Sequence, residues 1–259
     1  MTEKPPFHSQ AISGDGPRLI APSATRNLEP ICALLQQVGP PKGAALEIAS
    51  GTGQHIVAFA ARMPQLDWQP TEPDAERRAS IDAHAADANL PNLFRSVPLD
   101  ATLPGWGKVH AGKSLIVLIN LLHLIGLPQT RVLIVEAADA LAPGGILFLY
   151  GPFLRDGDLI SDGDARFHAG LVAQDPSLGY KNDTDILDLA TGAGGWAVDN
   201  VLVGTTPTFR QICSSVSGVN ANGDNDCAST LIVPGSGLAV ELLNLKENLK
   251  VEIPFYYFL

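Results

Sequence analysis

Cysteine is scarce in this 259-residue chain. Cys32, Cys213 and Cys227 stand far apart and make neither a metal-ligand spacing nor a disulfide framework. That pattern suits a reducing compartment, and the expectation is a cytoplasmic protein without a bound metal. Positive charge is scarce as well. Seventeen Lys and Arg face 27 Asp and Glu, giving a net charge of −10 and a pI near 4.9. A nucleic-acid partner wants a basic surface, so none is expected. Long apolar runs are missing. The longest, residues 115–127, is interrupted by Asn120, His123 and Gly126 and is too short to cross a bilayer, so no membrane partner is expected. The opening Met-Thr-Glu-Lys-Pro-Pro lacks the apolar stretch of a signal peptide, and no internal repeat is visible. Oligomeric state leaves no mark in the sequence.

With 46% hydrophobic and 17% charged residues, the chain has the composition of a globular protein, large enough for one sizeable domain. Residues 1–22, rich in Pro, Gly and Ser, predict an irregular arm. Leu28, Ile31, Leu35 and Val38 repeat at helical spacing, with Pro30 in the expected first turn and Gly39-Pro40 closing the segment. Residues 44–48 read as a strand and Gln54 to Met63 as a helix. A second strand is expected over 66–72, a helix over 73–88, a third strand over 93–99 and a fourth over 115–120. A helix over 129–141 and a fifth strand over 146–150 follow, joined by the Pro143-Gly144-Gly145 turn, and then a helix over 183–192. Strands alternating with helices predict a doubly wound α/β sheet, mostly parallel and covered on both faces. The domain is expected over 23–195. Segment 196–259 carries possible further strands at 231–233, 238–245 and 251–258.

The stretch Ala44-Ala45-Leu46-Glu47-Ile48-Ala49-Ser50-Gly51-Thr52-Gly53-Gln54-His55 organises the rest. It is strand, tight turn, helix. Ala49, Ser50, Gly51 and Gly53 are small enough for a ligand to lie against the backbone, and the helix behind offers free N–H groups. Two ligands suit such a turn. A dinucleotide wants G-x-G-x-x-G/A, which begins at Gly51 and Gly53 but meets Ile56 where a small residue belongs. It also has no use for Glu47 near its pyrophosphate. S-adenosylmethionine carries an amino group and a sulfonium and no phosphate, so an acid beside the loop suits it.

Further polar residues fall at strand ends, where ligands of such sheets bind. Glu72 stands 19 residues after Gly53 and can take ribose hydroxyls. Asp100, after the third strand, can accept from an adenine amino group, or else caps a turn. Asn120 breaks an apolar run, and a buried amide needs partners. His123 can orient or deprotonate a nucleophile. Tyr150 and Phe153 can wall a pocket, with Arg155 for an anionic group. Gly107 to Ser114 fits the phosphate-loop pattern G-x-x-x-x-G-K-[ST] letter for letter. It lacks the buried strand before and the helix after that such a loop requires.

The string Glu47-x-Ala49-x-Gly51-x-Gly53 resembles the first motif of class I S-adenosylmethionine-dependent methyltransferases, with Ala49 in place of the first Gly. Ala24 to Ile31, Leu46 to His55, Trp68-Gln69-Pro70, Ile119 to His123, Tyr150 to Phe153 and Asp175-Pro176 resemble a methyltransferase-like family of unknown function over roughly residues 18–195. The resemblance implies a seven-stranded sheet with its last strand antiparallel, S-adenosylmethionine as methyl donor, and an unidentified small-molecule acceptor. It implies donor contacts from Glu47, Ala49, Ser50, Gly51, Gly53, Glu72, Asp100 and Asn120, and catalytic roles for Asn120 and His123. Arg26, Asn27, Tyr150, Phe153 and Arg155 would face the acceptor. The chain departs from the family at Leu178, where a Trp is usual, at the Gly107–Ser114 insertion, and over residues 195–259. A nicotinamide-dependent oxidoreductase and a non-catalytic binding protein on the same fold are the rival readings.

Overall fold

A computed structural model describes residues 11–155, 157–192, 201–204, 210–212 and 230–233. Four parallel strands make the body of the sheet: β1 (Gly43–Ile48), β2 (Leu66–Pro70), β3 (Lys113–Ile119) and β4 (Leu141–Tyr150). They lie in the order β2-β1-β3-β4. The chain therefore moves outward from β1 to β2 and then returns to the other side of β1 for β3. The order reverses between β1 and β3, and their carboxyl ends form the switch point at which open α/β sheets bind ligands.

Alternation along each strand decides what packs where. Ile116 and Leu118 of β3 join Leu46 and Ile48 of β1 on one face. There they meet Leu133, Ile134 and Ala137 of α5 (Leu127–Ala140), which follows the short α4 (Trp106–Val109), and Ile186 and Leu187 of α7 (Asp183–Gly192), which follows α6 (Asp162–Gln174). Leu115, Val117 and Ala45 point the other way, to Ile31 and Leu35 of α1 (Pro22–Val38), Phe59 of α2 (Gln54–Arg62) and Ile81 of α3 (Ala75–Ala88). Trp68 of β2 is fully buried there, its ring 5.5 Å from Phe59. Glu47 has the parity of Ala45 and so is buried on the α1/α2 face.

Asp74 sets the start of α3. Its side chain accepts from the backbone N–H groups of Glu76 at 2.9 Å and Arg77 at 3.0 Å. Replacing Asp74 with Ala is expected to lower stability by about 1 kcal/mol, read as a lower urea midpoint at unchanged slope.

Several expectations need correction. The first helix begins at Pro22, so Pro30 sits inside it rather than in its first turn. Pro30 is exposed, and Ala24, Asn27, Ile31 and Cys32 carry the buried face. The second strand stops at Pro70. Residues 93–99 run beside it but touch it only through isolated bridges at Leu93 and Val97. Between those bridges the Ser96 N–H turns away to Asp82 Oδ1 at 2.8 Å, and Gln69 takes the Arg95 carbonyl at 2.7 Å. The strand β4 starts five residues before Ile146, because Leu141 pairs with Lys113 and Ile146 with Leu115. Pro143-Gly144-Gly145 is thus an extrusion within the strand. A helix over Asp162–Gln174, α6, was not anticipated; Ser161 caps it through Asp164 N–H at 3.1 Å.

The resemblance implied seven strands with the last one antiparallel. The body has four. Short segments continue the edge beyond β4: Val201–Gly204 is parallel to β4, Thr230–Val233 is parallel to Val201–Gly204, and the antiparallel Arg210–Ile212 precedes Thr230–Val233 in the chain. The strands expected over 238–245 and 251–258 lie outside the described residues. Among the described residues no helix is long and apolar enough to cross a membrane, and no group of three or more His, Cys, Asp or Glu could hold a metal ion.

Candidate functional site

The loop after β1 is tied down before any ligand is considered. Ala49 and Gly51 both take positive φ, 52° and 59°, and Gly53 follows at 94°. Ser50 N–H donates to the Thr71 carbonyl at 2.8 Å, and the Thr71 hydroxyl donates to the Glu47 carbonyl at 2.8 Å. Gly51 N–H donates to Glu72 Oε2 at 3.0 Å, while Glu72 Oε1 accepts from Asp74 N–H at 3.2 Å. One carboxylate from the end of β2 therefore sets the shape of the glycine loop. Burial raises the Glu72 carboxyl above its ordinary range, opposed by those two N–H groups and by Arg77.

A cavity of about 220 Å³ opens at the switch point between β1 and β3. Glu47, Ala49, Ser50, Gly51, Glu72 and Asn120 all line it. Glu47 is 2% exposed, and its Oε2 has no hydrogen-bond partner among the described residues. Burial pushes its carboxyl up to about 8, with the Ser50 hydroxyl opposing and the Glu72 charge adding to the rise. A buried carboxylate oxygen without a partner is costly. Its natural complement is a cationic or hydrogen-bonding group of a ligand.

Asn120 opens the turn after β3 with φ at 57°, its backbone N–H donating to the Tyr150 carbonyl at 2.7 Å. Asparagine tolerates the left-handed region better than most residues, which suits it to a turn that brings a side chain to the cavity.

Other expected residues lie elsewhere. Gly53 starts α2 behind the loop, packed against Ile81. Asp100 is exposed on a turn, where its Oδ1 accepts from the Thr102 N–H at 3.0 Å and from the Thr102 hydroxyl at 2.6 Å; it does not line the cavity. His123 is buried and does not line the cavity, its ring edge-on to Phe167 at 5.6 Å and Tyr180 at 6.3 Å. Burial, with Lys181 in support, brings His123 down to about 4, so it is neutral at physiological pH. Tyr150 lends the sheet its carbonyl, and Phe153 is part of the core on the α5/α7 face. Arg155 pairs its backbone with Asp158 at 2.9 Å. Arg26 is exposed on α1 and does not line the cavity. The phosphate-loop pattern is also accounted for. The N–H groups of Gly105 and Gly107 donate to the Glu136 carboxylate at 2.7 and 2.6 Å, and Lys113 begins β3 instead of a helix.

Residues that sequence reasoning missed complete the walls: Ala21, Ser23 and Ala24 from the arm and α1, His55 from α2, and Arg77 from α3. Asn27 is buried and reaches the site through His55, its amide 2.9 Å from His55 Nε2. The only local signal for His55 was its place directly after the glycine loop. The arm is fastened to the same loop. Leu19 N–H donates to the Ser80 hydroxyl at 2.8 Å, which donates to the Thr52 carbonyl at 2.8 Å. Gln54 Oε1 accepts from Ala21 N–H at 2.6 Å and from the Thr52 hydroxyl at 3.0 Å, and its Nε2 donates to the Thr25 hydroxyl at 3.0 Å. An ion pair of Arg18 with Asp87 holds the turn of the arm against α3.

Comparison with known proteins gives a fold and a family. An O-methyltransferase family protein from Burkholderia thailandensis superposes with a TM-score of 0.56 at 15% identity, over 75% of this chain and 54% of that one. PigF, solved with SAH, gives a TM-score of 0.55 at 18% identity over 66% and 50%. Human N-acetylserotonin methyltransferase, solved in complex with SAM, gives 0.53 at 12% identity over 66% and 47%. The chain spans about half the length of these structures. At such identities the likeness shows the Rossmann-like class I methyltransferase fold alone. A family model described as "Protein of unknown function (DUF938)" matches residues 18–205.

Proposed function

The chain belongs to the DUF938 family, and from that premise we propose that it is an S-adenosylmethionine-dependent methyltransferase acting on a small-molecule acceptor. The observation that carries the reading is the Oε2 of Glu47, buried in the wall of a cavity at the β1/β3 switch point and without a hydrogen-bond partner among the described residues. The ammonium of the donor's methionine end is a fitting partner for it. Ala49, Ser50 and Gly51 would lie along the same end of the ligand, with Gly53 holding the loop against α3. Glu72 has spare lone pairs beyond its two loop contacts and would take the ribose hydroxyls. The cavity is small beside the roughly 300–1,000 Å³ of ordinary ligand clefts, so the adenine would extend outside it, and Asp100 is proposed to meet it there.

The bound donor supplies an already activated methyl group for in-line displacement at its sulfonium. The protein's part is then alignment of the acceptor and exclusion of water. Asn120 is proposed to orient the acceptor, and neutral His123 to take up its proton or steady the turn beneath it. Arg26, Tyr150, Phe153 and Arg155 remain proposed contacts of an acceptor larger than the cavity. The edge segments beyond β4 are proposed to complete a seven-stranded sheet. The scattered cysteines support a cytoplasmic protein, and the acidic composition supports a substrate other than nucleic acid.

Two residues weigh against a dinucleotide. Ile56 fills its position completely buried, and Glu47 stands where a pyrophosphate would need to approach. Calorimetric titration of the full chain with S-adenosylmethionine and S-adenosylhomocysteine, with NAD as control, tests the reading. Micromolar binding of the first two and none of NAD is expected. Binding of NAD instead, or no binding by folded protein, overturns it, and the latter points to a binding or scaffold member of the fold with another ligand.

A further inference from the structure

His55 is the second residue of α2 and lines the cavity together with Glu47. The residue is 8% exposed, and its ring stacks on Phe59 with centroids 5.7 Å apart. The amide of Asn27, from α1, determines which ring nitrogen carries the hydrogen. The Asn27 nitrogen faces the Ser23 carbonyl at 2.8 Å, the Ala24 carbonyl at 3.0 Å and His55 Nε2 at 2.9 Å. Carbonyl oxygens only accept, so the amide turns its NH₂ to this side and shares its two hydrogens among the three; an amide nitrogen cannot accept, so Nε2 must be an acceptor here. The imidazole hydrogen is thereby assigned to Nδ1. Among the described residues the ring makes no other hydrogen bond. Burial holds His55 down to about 4, so the ring is uncharged and keeps this one-donor form at neutral pH.

The surroundings give this donor a meaning. The helix that carries His55 has no side-chain cap on its first turn, since Gly53 occupies the capping position. Its free N–H groups favour negative charge. The same cavity holds the unpartnered Glu47 oxygen, which favours positive charge. An anion-seeking donor and a cation-seeking acceptor within one small cavity describe a receptor for a zwitterion.

We propose that His55, oriented by Asn27, donates from Nδ1 to the carboxylate of the ligand's α-amino acid end, while Glu47 takes its ammonium. This rests on the adenosylmethionine reading and deepens it: the cavity would select adenosyl thioethers and sulfoniums by their amino-acid end and not by the nucleoside alone. His55 is thus a ligand-binding residue and Asn27 a positioning residue.

The test compares S-adenosylhomocysteine with 5′-methylthioadenosine, which keeps the adenosyl thioether and lacks the amino-acid end. Dissociation constants are measured for the parent, H55A, H55N and N27A. A hydrogen bond to a charged group corresponds to about 10- to 100-fold in affinity. H55A is expected to weaken S-adenosylhomocysteine by that factor and to leave methylthioadenosine within about twofold of the parent. H55N, whose amide nitrogen stands close to the position of Nδ1, is expected to recover most of the loss. N27A frees Nε2 to take the hydrogen and is expected to weaken S-adenosylhomocysteine selectively, though less. Equal weakening of both ligands in H55A would make His55 a packing residue and overturn the assignment, as would no weakening of either. A folded parent that binds neither compound rejects the methyltransferase reading and the assignment with it. Methylthioadenosine affinity also reports whether each variant keeps its fold.

Discussion

Glu47→Gln is expected to reduce S-adenosylmethionine and S-adenosylhomocysteine affinity by roughly 100-fold or more while making the protein more stable at alkaline pH. Removing one partner of a buried charge pair costs on the order of 3–5 kcal/mol, because the other charge is left without compensation. Glutamine keeps the shape and removes the charge. The stability effect follows from the carboxyl being pushed up to about 8 in the folded chain, against an ordinary value of 4.5. Below 4.5 both folded and unfolded chains hold the proton, and the substitution changes little. Between 4.5 and 8 the folded chain keeps a proton that the unfolded chain has released, so parent stability falls as pH rises. Above 8 the folded chain must carry the buried charge, and the loss is complete at a few kcal/mol. The urea midpoint of the Gln variant should therefore exceed that of the parent at pH 9 and match it near pH 4. A constant difference across that range would refute the linkage, and parent-like affinity would remove Glu47 from the ligand site.

The second large effect belongs to Gly53→Ala. Its φ of 94° is unfavourable for any residue with a Cβ, and the added methyl would sit 2.8 Å from the Cα of Ile81, part of the α3 main chain. The helix must shift to make room. Backbone strain and overpacking together are expected to cost roughly 2–5 kcal/mol, a drop in Tm of about 5–15 °C for a domain of this size. Gly51→Ala is the control. Its φ of 59° carries similar strain, but the nearest atom is the end of the Arg77 side chain at 3.6 Å. Only the conformational part, about 1–2 kcal/mol, applies there. Thermal melts of both variants separate the contributions, and equal losses would show that contact with α3 is not the reason for glycine at 53.

The strand, loop and helix from Gly43 to Arg62 were legible because their signals are local: an apolar run, small residues, then helical spacing. A parallel sheet covered by helices followed from the alternation of strands and helices, while the strand order came only with the structure. What escaped depends on partners distant in the chain. Segment 93–99 has strand-like residues, yet Asp82 on α3 draws off the Ser96 N–H and interrupts the ladder. Asn27 and His55 are 28 residues apart, and nothing in either neighbourhood announces their contact. The α6 helix is built largely from Asp, Gly and Ala with one fully buried residue, Leu171, so its periodicity is faint. At the site, Glu47, Ala49, Ser50 and Gly51 converge on the cavity with Glu72 and Asn120, while Asp100, His123, Tyr150, Phe153 and Arg155 do not line it. Asp100 and Arg155 were read from position after a strand, and position does not say where a turn sends the side chain.

The fastening of the arm concerns time more than affinity. Ala21, Ser23 and Ala24 form one wall of the cavity, and hydrogen bonds from Leu19 and Ala21 to Ser80 and Gln54 hold the arm against it. Ser80 and Gln54 also hold Thr52, the next residue after Gly51 in the loop. Lifting the arm would therefore break contacts that also hold the loop, and a ligand leaving past that wall would wait for both. For a ligand that leaves by that route, residence time would be set by these polar contacts of the arm, separately from the carboxylate and imidazole proposed to hold it.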